Sequence, residues 1–422
     1  MDAIEDKRVE YIDDIISEYI TAICCIKDSF YDINEVLNKK KKNANNNFKS
    51  FILGLKSSDA NNDIISKLNS KNSYINRFGV LTKKLDRSEQ ALNILPQSLF
   101  ISLVSQYDVL IAQLVRFIYM YSENKLLESD SQISLREVFK IGDIDKIKEK
   151  FISDKIDSIL RDSHTDQIKT LSKMIGDVPL DKVDFWKDFV EITQRRNLFV
   201  HCKGTISGQY INECKKWGVI CEEKIGTILN VDDEYFSKAF NVFYCMGVML
   251  SQVISRVVLS DDLIGEIDSV LNNIIYETIS EERYDIAIML SEFAINKNTK
   301  HNNKLDEKYF ILNYAQAYKW KGMQEKCKDI LDKYDFSESK EDILVAKYAL
   351  EDDVENVIKS MRIIGDKSDI MTDDAYATWE IFKGMREKNE FVSTFEEIFN
   401  KPLLELDEIN ITEQTKDIIE KL

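Results

Sequence analysis

The apolar residues of this chain recur at helical spacing over long stretches, and few residues interrupt them. Residues 4–36 carry apolar side chains three, four or seven positions apart, and residues 99–121 show the same pattern. Such spacing places the side chains on one face of an α-helix. Proline and glycine, which often end helices, number only 3 and 13 in 422 residues. The sequence therefore predicts an all-α protein.

Local signals predict where these helices begin and end. The stretch NKKKKNANNNFKSF, residues 38–51, has no apolar periodicity and predicts a solvated loop. A shorter helix with a connector is expected over residues 62–92. Pro96 is expected to open the next helix, because proline is favoured in the first helical turn. Further helices are predicted over residues 134–160, 164–176 and 232–258.

The length of 422 residues exceeds what a single ordinary hydrophobic core supports, so several domains are expected. Long apolar helices continue to about residue 262, and shorter helical pairs follow. We expect an N-terminal helical region at residues 1–92, a helical bundle domain at 93–262 and a C-terminal helical-repeat domain at 263–422.

The C-terminal region repeats a pattern of two helices joined by a tight polar turn. Turns are expected near Gly322, Asp353 and Lys388, at about the period of tetratricopeptide units, which this region resembles loosely. The alternative is an irregular helical tail. In either case we expect a surface for a protein or ligand activator, since no catalytic constellation stands out. His301, in a loop rich in lysine and asparagine, is expected to be inert.

The net charge and the cysteine content indicate which binding partners and which cellular compartment to expect. A formal charge of −17 opposes broad coating of RNA or DNA, so nucleic acid would need a local basic patch. Seven cysteines without a CxxC pair suggest free thiols in a reducing compartment. We expect no secretory leader and no membrane span, hence a cytoplasmic location. Nothing in the sequence calls for a cofactor.

The segment EITQRRNLFVHCKG, residues 191–204, places charge inside an apolar helical pattern. At about 100° per residue, Arg196 falls on the same stripe as Phe189, Ile192 and Phe199. An unpaired buried guanidinium is costly, so Arg196 is expected to meet a carboxylate, a subunit interface or an anionic ligand. Asp108 could orient one of these basic residues. The alternative is a surface aspartate on its own helix.

The hexamer RNLFVH, from Arg196 to His201, resembles the signature of HEPN domains, helical ribonucleases and their relatives in which an arginine precedes a histidine by a few residues. The polar Asn197 directly after the arginine also fits, as does the glycine at position 204. The resemblance covers about residues 95–260. It implies a HEPN-like bundle, cleavage of RNA, a homodimer with a composite site, and a role in a regulated toxin or antiphage defence.

The residue types suit cleavage of RNA without a metal. Such a reaction needs a base for the 2′-hydroxyl, an acid for the leaving 5′-oxygen and a cation for the developing charge. His201 would transfer protons, Arg196 would hold the phosphate, and Asn197 would orient the imidazole or donate to phosphate. Arg195 and Lys203, with Lys215 and Lys216, would form the local basic patch that binds substrate.

The sequence leaves two questions open: how Arg196 and His201 come together, and whether the chain has a different function. On an ideal helix Arg196 and His201 are about 140° apart and about 7.5 Å apart along the axis. A frayed helix end near Gly204 could bring them together, and a second antiparallel copy could do so across a twofold axis. The alternative functions are a noncatalytic HEPN-like scaffold that dimerises and binds proteins, and, less favoured, a metal site of His201, Cys202, Cys214 and Cys221.

Overall fold

The computed structural model describes residues 2–58, 64–122, 134–297 and 299–403. Within these ranges the chain is helical and has no β-strand, so the predicted all-α class is confirmed. Two compact units are formed, Met1–Val258 and Leu259–Leu422. The expected boundary between residues 92 and 93 falls inside a continuous helix.

Eight helices make up the described part of the N-terminal unit. They are α1 (Asp2–Ser58), α2 (Ile64–Tyr121), α3 (Leu135–Ile141), α4 (Ile144–Leu160), α5 (His164–Met174), α6 (Trp186–Cys202), α7 (Gly208–Lys216) and α8 (Asp233–Val258). Helices α1 and α2 pack antiparallel, because Tyr11 lies against Phe117 at one end and Phe48 lies against Phe78 at the other, with ring centroids 6.3 and 5.6 Å apart.

The loop predicted for residues 38–51 is wrong, because α1 continues through it to Ser58. Contacts with α2 stabilise this part of α1, whose own sequence does not favour a helix. The rings of Phe51 and Tyr74 lie 6.3 Å apart, and Lys41 lies 3.7 Å from Glu89. Tertiary packing thus outweighs the weak helix propensity of the asparagines.

The predicted helix start at Pro96 and the connector before it are also wrong, since both lie inside α2. Proline lacks an N–H group and so removes one helical hydrogen bond. The hydroxyl of Ser98 donates to the carbonyl of Ile94 at 2.8 Å in the same turn. Pro96 itself is buried, and α2 continues through it to Tyr121.

The far ends of α1 and α2 form an arm, defined here as residues 38–58 and 64–95. No side chain described between residues 38 and 54 or between 74 and 95 is buried. Buried residues are instead frequent from Val9 to Leu37 and from Phe100 to Tyr119. The arm is therefore a two-helix extension outside the hydrophobic core.

Helix α8 occupies the centre of the N-terminal unit and contacts α1, α2 and α6. The ring of Phe236 stacks on Phe30 with centroids 3.8 Å apart, and the hydroxyl of Tyr19 donates to the carbonyl of Phe243 at 2.8 Å. A Cβ atom at Gly247 would overlap the ring of Tyr19. Only glycine permits this close approach of α1 to α8.

Two described helices are long and apolar enough to cross a membrane, by length and composition alone. They are the part of α2 from Tyr74 to Tyr121, and α8. The sequence was expected to contain no membrane span. In the most apolar window of α8, 72% of the residues are buried within the protein, against 44% in that of α2. Core helices have the same composition as membrane spans, so this is a weak indication of a membrane segment.

Nine α-helices and two short 3₁₀-helices, Asp261–Leu263 and Glu380–Phe382, make up the described part of the C-terminal unit. The α-helices are α9 (Ile264–Ser280), α10 (Tyr284–Ala294), α11 (Lys304–Trp320), α12 (Gln324–Lys333), α13 (Glu341–Leu350), α14 (Val354–Ile364), α15 (Asp373–Thr378), α16 (Lys383–Arg386) and α17 (Asn389–Phe399). The helices α9, α11 and α13 contact one another in that order, and each also contacts the helix that follows it.

Three helix pairs of this unit are joined by the same three-residue turn. Its middle residue is left-handed in each case: Glu282, Gly322 and Asp352, with φ of 58°, 83° and 58°. The next backbone N–H donates to a carbonyl five residues earlier, at 2.8 to 3.0 Å, which is the Schellman arrangement. The turn at Lys388 differs, since neither it nor Glu387 is left-handed.

His301 lies in the loop before α11, as its surroundings in the sequence suggested, yet its ring is bonded on both sides. Its Nδ1 lies 3.0 Å from Oδ1 of Asp268, and its Nε2 lies 2.8 Å from the carbonyl oxygen of Ala294. The other oxygen of Asp268 accepts from the backbone N–H of Asn302 at 3.2 Å. The histidine ties this loop to α9 and α10.

Candidate functional site

Helix α6 carries the sequence motif, and its apolar stripe forms the buried face of the helix. Phe189, Ile192 and Phe199 are buried as the periodicity predicts. Arg196 lies on the same face, with only 23% of its side chain exposed. The helix thus holds a guanidinium at the edge of the hydrophobic core.

The guanidinium of Arg196 meets a carboxylate from α2. Its Nη2 lies 3.5 Å from Oδ2 of Asp108, and its Nη1 donates to the side-chain oxygen of Asn197 at 3.2 Å. Of the three partners expected for Arg196, namely a carboxylate, a subunit interface or an anionic ligand, the described residues supply the carboxylate. The Nε of Arg196 is buried and has no hydrogen-bond partner among the described residues. Among the described residues, the guanidinium forms one hydrogen bond, to Asn197, so most of its donors are left over.

A second histidine, not considered in the sequence analysis, lies on the other side of Asp108. The Nε2 atom of His164, at the start of α5, is 3.2 Å from Oδ1 of Asp108. The ring is buried, and Nε2 is not aligned for a hydrogen bond to any described atom. The hydroxyl of the neighbouring Tyr107 is likewise buried without a partner in the described part of the chain. Asp108 therefore stands between two basic side chains.

His201 lies in the last turn of α6 and is exposed, as are Cys202 and Lys203 beyond it. No hydrogen bond or ion pair joins His201 to Arg196 among the described residues. The helix stays regular to Cys202, so a frayed end does not bring the two side chains together. Within one chain, Asn197 contacts Arg196 and His201 stands apart.

The turn after α6 is fixed by Gly204, whose φ is 76°. A Cβ atom there would lie 2.8 Å from Cε1 of Phe199 and 2.9 Å from the carbonyl oxygen of Leu229. The backbone N–H of Leu229 donates to the carbonyl of Gly204 at 2.9 Å. The segment that follows His201 is thereby held against residues 226–229.

Arg195 points to a different cluster from that of Arg196. Its Nε donates to Glu191 at 2.7 Å, and its guanidinium stacks 3.7 Å from the ring centre of Tyr235. The hydroxyls of Tyr210 and Tyr235 each donate to Glu191 at 2.7 Å. Burial opposes the charge of Arg195, but Tyr235 and Glu191 outweigh it and raise the pKa of Arg195. Its Nε, through Glu191, and its ring contact with Tyr235 already serve the fold.

The remaining sequence candidates are spread over the surface near this helix. Lys203, Lys215 and Lys216 are exposed, and Lys216 pairs with Glu213. Burial first, and then neighbouring Cys221, raise the pKa of the Cys214 thiol to about 12. Within the described ranges no group of three or more His, Cys, Asp and Glu side chains is placed to hold a metal ion. The four residues of the alternative metal site are not assembled as ligands.

Comparison of the chain with protein-family models, with curated protein sequences and with solved structures finds no match.

Proposed function

We propose that this chain is a metal-independent endoribonuclease of the HEPN type, with Arg196, Asn197 and His201 in a composite site between two copies of the chain. The observation that carries the proposal is Arg196, a partly exposed guanidinium held at a core edge by Asp108 and Asn197. Among the described residues, the only hydrogen bond of its Nη atoms goes to Asn197. A pre-positioned arginine with spare donors suits a phosphate group.

The proposed reaction is an internal transesterification. A general base takes the proton of the 2′-hydroxyl, whose oxygen then forms a bond to phosphorus. The bond from phosphorus to the 5′-oxygen breaks, and a general acid protonates that oxygen. The products are a 2′,3′-cyclic phosphate and a free 5′-hydroxyl. Arg196 stabilises the extra negative charge on the phosphorane-like transition state, and His201 exchanges the protons.

Dimerisation supplies what one chain lacks. Arg196 faces Asp108, whereas His201 is exposed at the end of α6 beside Val200, an exposed apolar residue. Two α6 helices packed antiparallel about a twofold axis would set the histidine of each copy near the arginine of the other. They would also cover Val200 and provide two histidines, one as base and one as acid.

The proposed enzyme acts in the cytoplasm on RNA, as a regulated toxin or antiphage effector whose basal cleavage increases when the C-terminal helix pairs bind an activator. The repeated Schellman turns of these pairs favour a tetratricopeptide-like repeat. Exposed Lys203 and Lys215 would contact the RNA backbone. Arg195 would attract RNA through its positive charge rather than contact it directly, because Glu191 and Tyr235 already hold its guanidinium.

A noncatalytic scaffold is the second candidate, and one observation favours it. Arg196 has a carboxylate partner inside its own chain, so an interface or structural role would also explain its position. Both candidates include a dimer. RNA cleavage separates them.

The test is incubation of purified protein with cellular RNA in EDTA, alongside His201→Ala, Arg196→Ala and the exposed control Lys182→Ala. We expect cleavage by the parent and the control, products with cyclic phosphate ends, and at least about a hundredfold loss in both site variants. Light scattering would establish that all four proteins are dimers. A dimeric parent that leaves RNA intact supports the scaffold.

A further inference from the structure

The C-terminal unit contains a cavity of about 440 Å³ between its inner helices. Residues from α9, α11 and α13 line it together with residues 370–381. Small-molecule sites in proteins are commonly about 300 to 1,000 Å³. The cavity is therefore large enough for a ligand of nucleoside size, and it lies wholly within one unit.

Two carboxamides from neighbouring helices meet at the wall of this cavity. The side-chain nitrogen of Asn313 on α11 donates to the side-chain oxygen of Asn272 on α9 at 2.8 Å. No other hydrogen bond of either side chain is formed with the described residues; Asn313 is buried and Asn272 is half-buried. Whichever way the amides are turned, one NH2 group and one carbonyl oxygen of the pair have no partner among the described residues.

Aromatic side chains form much of the remaining wall. Tyr276, Tyr309, Phe310 and Trp379 line the cavity, with Met371 and Ile381 among the apolar contacts. Aromatic faces bind planar rings by stacking, and such contacts are worth about 1–3 kcal/mol per nucleic-acid base. The wall therefore fits a flat heteroaromatic ring.

The charge of the lining argues against an anionic ligand. No lysine, arginine or histidine is among the described residues that line the cavity. The one charged lining residue is Asp268, which is buried and bonded to His301 and to the backbone of Asn302. A phosphate would enter without a cation and beside a carboxylate, which costs free energy.

We propose that this cavity binds an uncharged adenine nucleoside. Asparagine recognises the edge of adenine that carries a donor beside an acceptor, and the Asn272–Asn313 pair offers the complementary acceptor and donor. The aromatic wall holds the ring, and the missing positive charge selects the nucleoside over its phosphates. If the proposed ribonuclease is regulated, this ligand is its activator; that role rests on the proposed function, whereas the binding does not.

The experiment is calorimetric titration of the full chain with adenosine and, in parallel, with adenosine 5′-monophosphate. We expect saturable binding of adenosine and an affinity for the monophosphate at least about tenfold lower. Asn313→Leu and Asn272→Leu should each weaken adenosine binding at least about tenfold, while Lys328→Gln, on the exposed face of α12, should not. Asn272 is only half-buried, so its variant tests the site even if Asn313→Leu unfolds.

Three results would overturn the site. They are no heat of binding with adenosine at about 1 mM, equal affinity for the nucleoside and the monophosphate, or unchanged binding in a folded Asn272→Leu variant. Heat of binding does not depend on RNA cleavage. A chain that binds adenosine and leaves RNA intact would therefore retain this site and lose only the proposed ribonuclease.

Discussion

Each unit contains a histidine of low solvent exposure next to an aspartate, and the two pairs differ in how fully they are hydrogen-bonded. In the C-terminal unit both ring nitrogens of His301 have partners, and both oxygens of Asp268 are used. In the N-terminal unit His164 lies 3.2 Å from Asp108 without an aligned hydrogen bond. Asp108 is 25% exposed and Asp268 only 3%.

The difference separates a structural pair from a candidate functional one. A complete set of short hydrogen bonds deep in a unit stabilises one conformation and leaves nothing for a ligand. An incomplete set beside a partly exposed arginine keeps donors available and holds a charge where substrate can reach it. The same two residue types thus indicate different roles, and completeness of bonding distinguishes them.

The largest expected effect is at Asp268. Asp268→Ala removes the acceptor for both His301 and the backbone N–H of Asn302, and should lower the free energy of unfolding of the C-terminal unit by about 3–5 kcal/mol. Denaturant unfolding measures it. The matched control is Asp285→Ala on α10, an exposed ion-pair partner of Lys321, where less than about 1 kcal/mol is expected. Equal losses in both variants would erase the distinction between the pairs.

The next effect is on catalysis. Asp108→Ala should lower the rate of RNA cleavage about a hundredfold, because Arg196 loses the group that positions it. It should also lower the free energy of unfolding by about 1–3 kcal/mol, because a largely buried guanidinium is left without its carboxylate. Asp108→Glu should restore part of the rate. Single-turnover cleavage gives the rate and thermal unfolding gives the stability. A variant with the parent rate would show that Asp108 does not act through Arg196.

The smallest effect compares the two histidines directly. His301→Phe breaks two hydrogen bonds and should cost about 2–3 kcal/mol. His164→Phe breaks no hydrogen bond to the described residues and fills similar space. It should therefore lower the free energy of unfolding by less than about 1 kcal/mol. Both variants are measured by denaturant unfolding of the full chain. A larger loss for His164 than for His301 would reverse the assignment of structural and functional pairs.

The sequence predicted the helical class and the buried face of α6 well, because both depend on periodicity along one helix. Arg196 stands out for the same reason, as a charge at an apolar position. The local pattern predicted a loop at residues 38–51, which is wrong. The helix there is stabilised by contacts with Tyr74, Phe78 and other residues of α2. Helix propensity describes a segment alone, and tertiary contacts replace it when a partner helix is present.

Residues brought together from distant parts of the chain were not predictable in the same way. His164 lies 56 positions after Asp108 in the sequence, and no spacing rule connects them. That it is one of only three histidines was the single available signal. Similarly, the pairing of Asn272 with Asn313 depends on which faces of α9 and α11 meet. Periodicity locates faces, but contacts between faces require the fold.

The length of the arm can change without altering the rest of the N-terminal unit. At about 1.5 Å per residue, the 21 residues of α1 beyond Leu37 extend for about 30 Å. Since no described arm side chain is buried, its length is independent of the hydrophobic core. Removing seven residues from each of the two helices of the arm would shorten the arm by about two turns. The same faces of α1 and α2 would stay in contact. The arm is thus an adjustable spacer, open to insertion and deletion in pairs without redesign of the bundle.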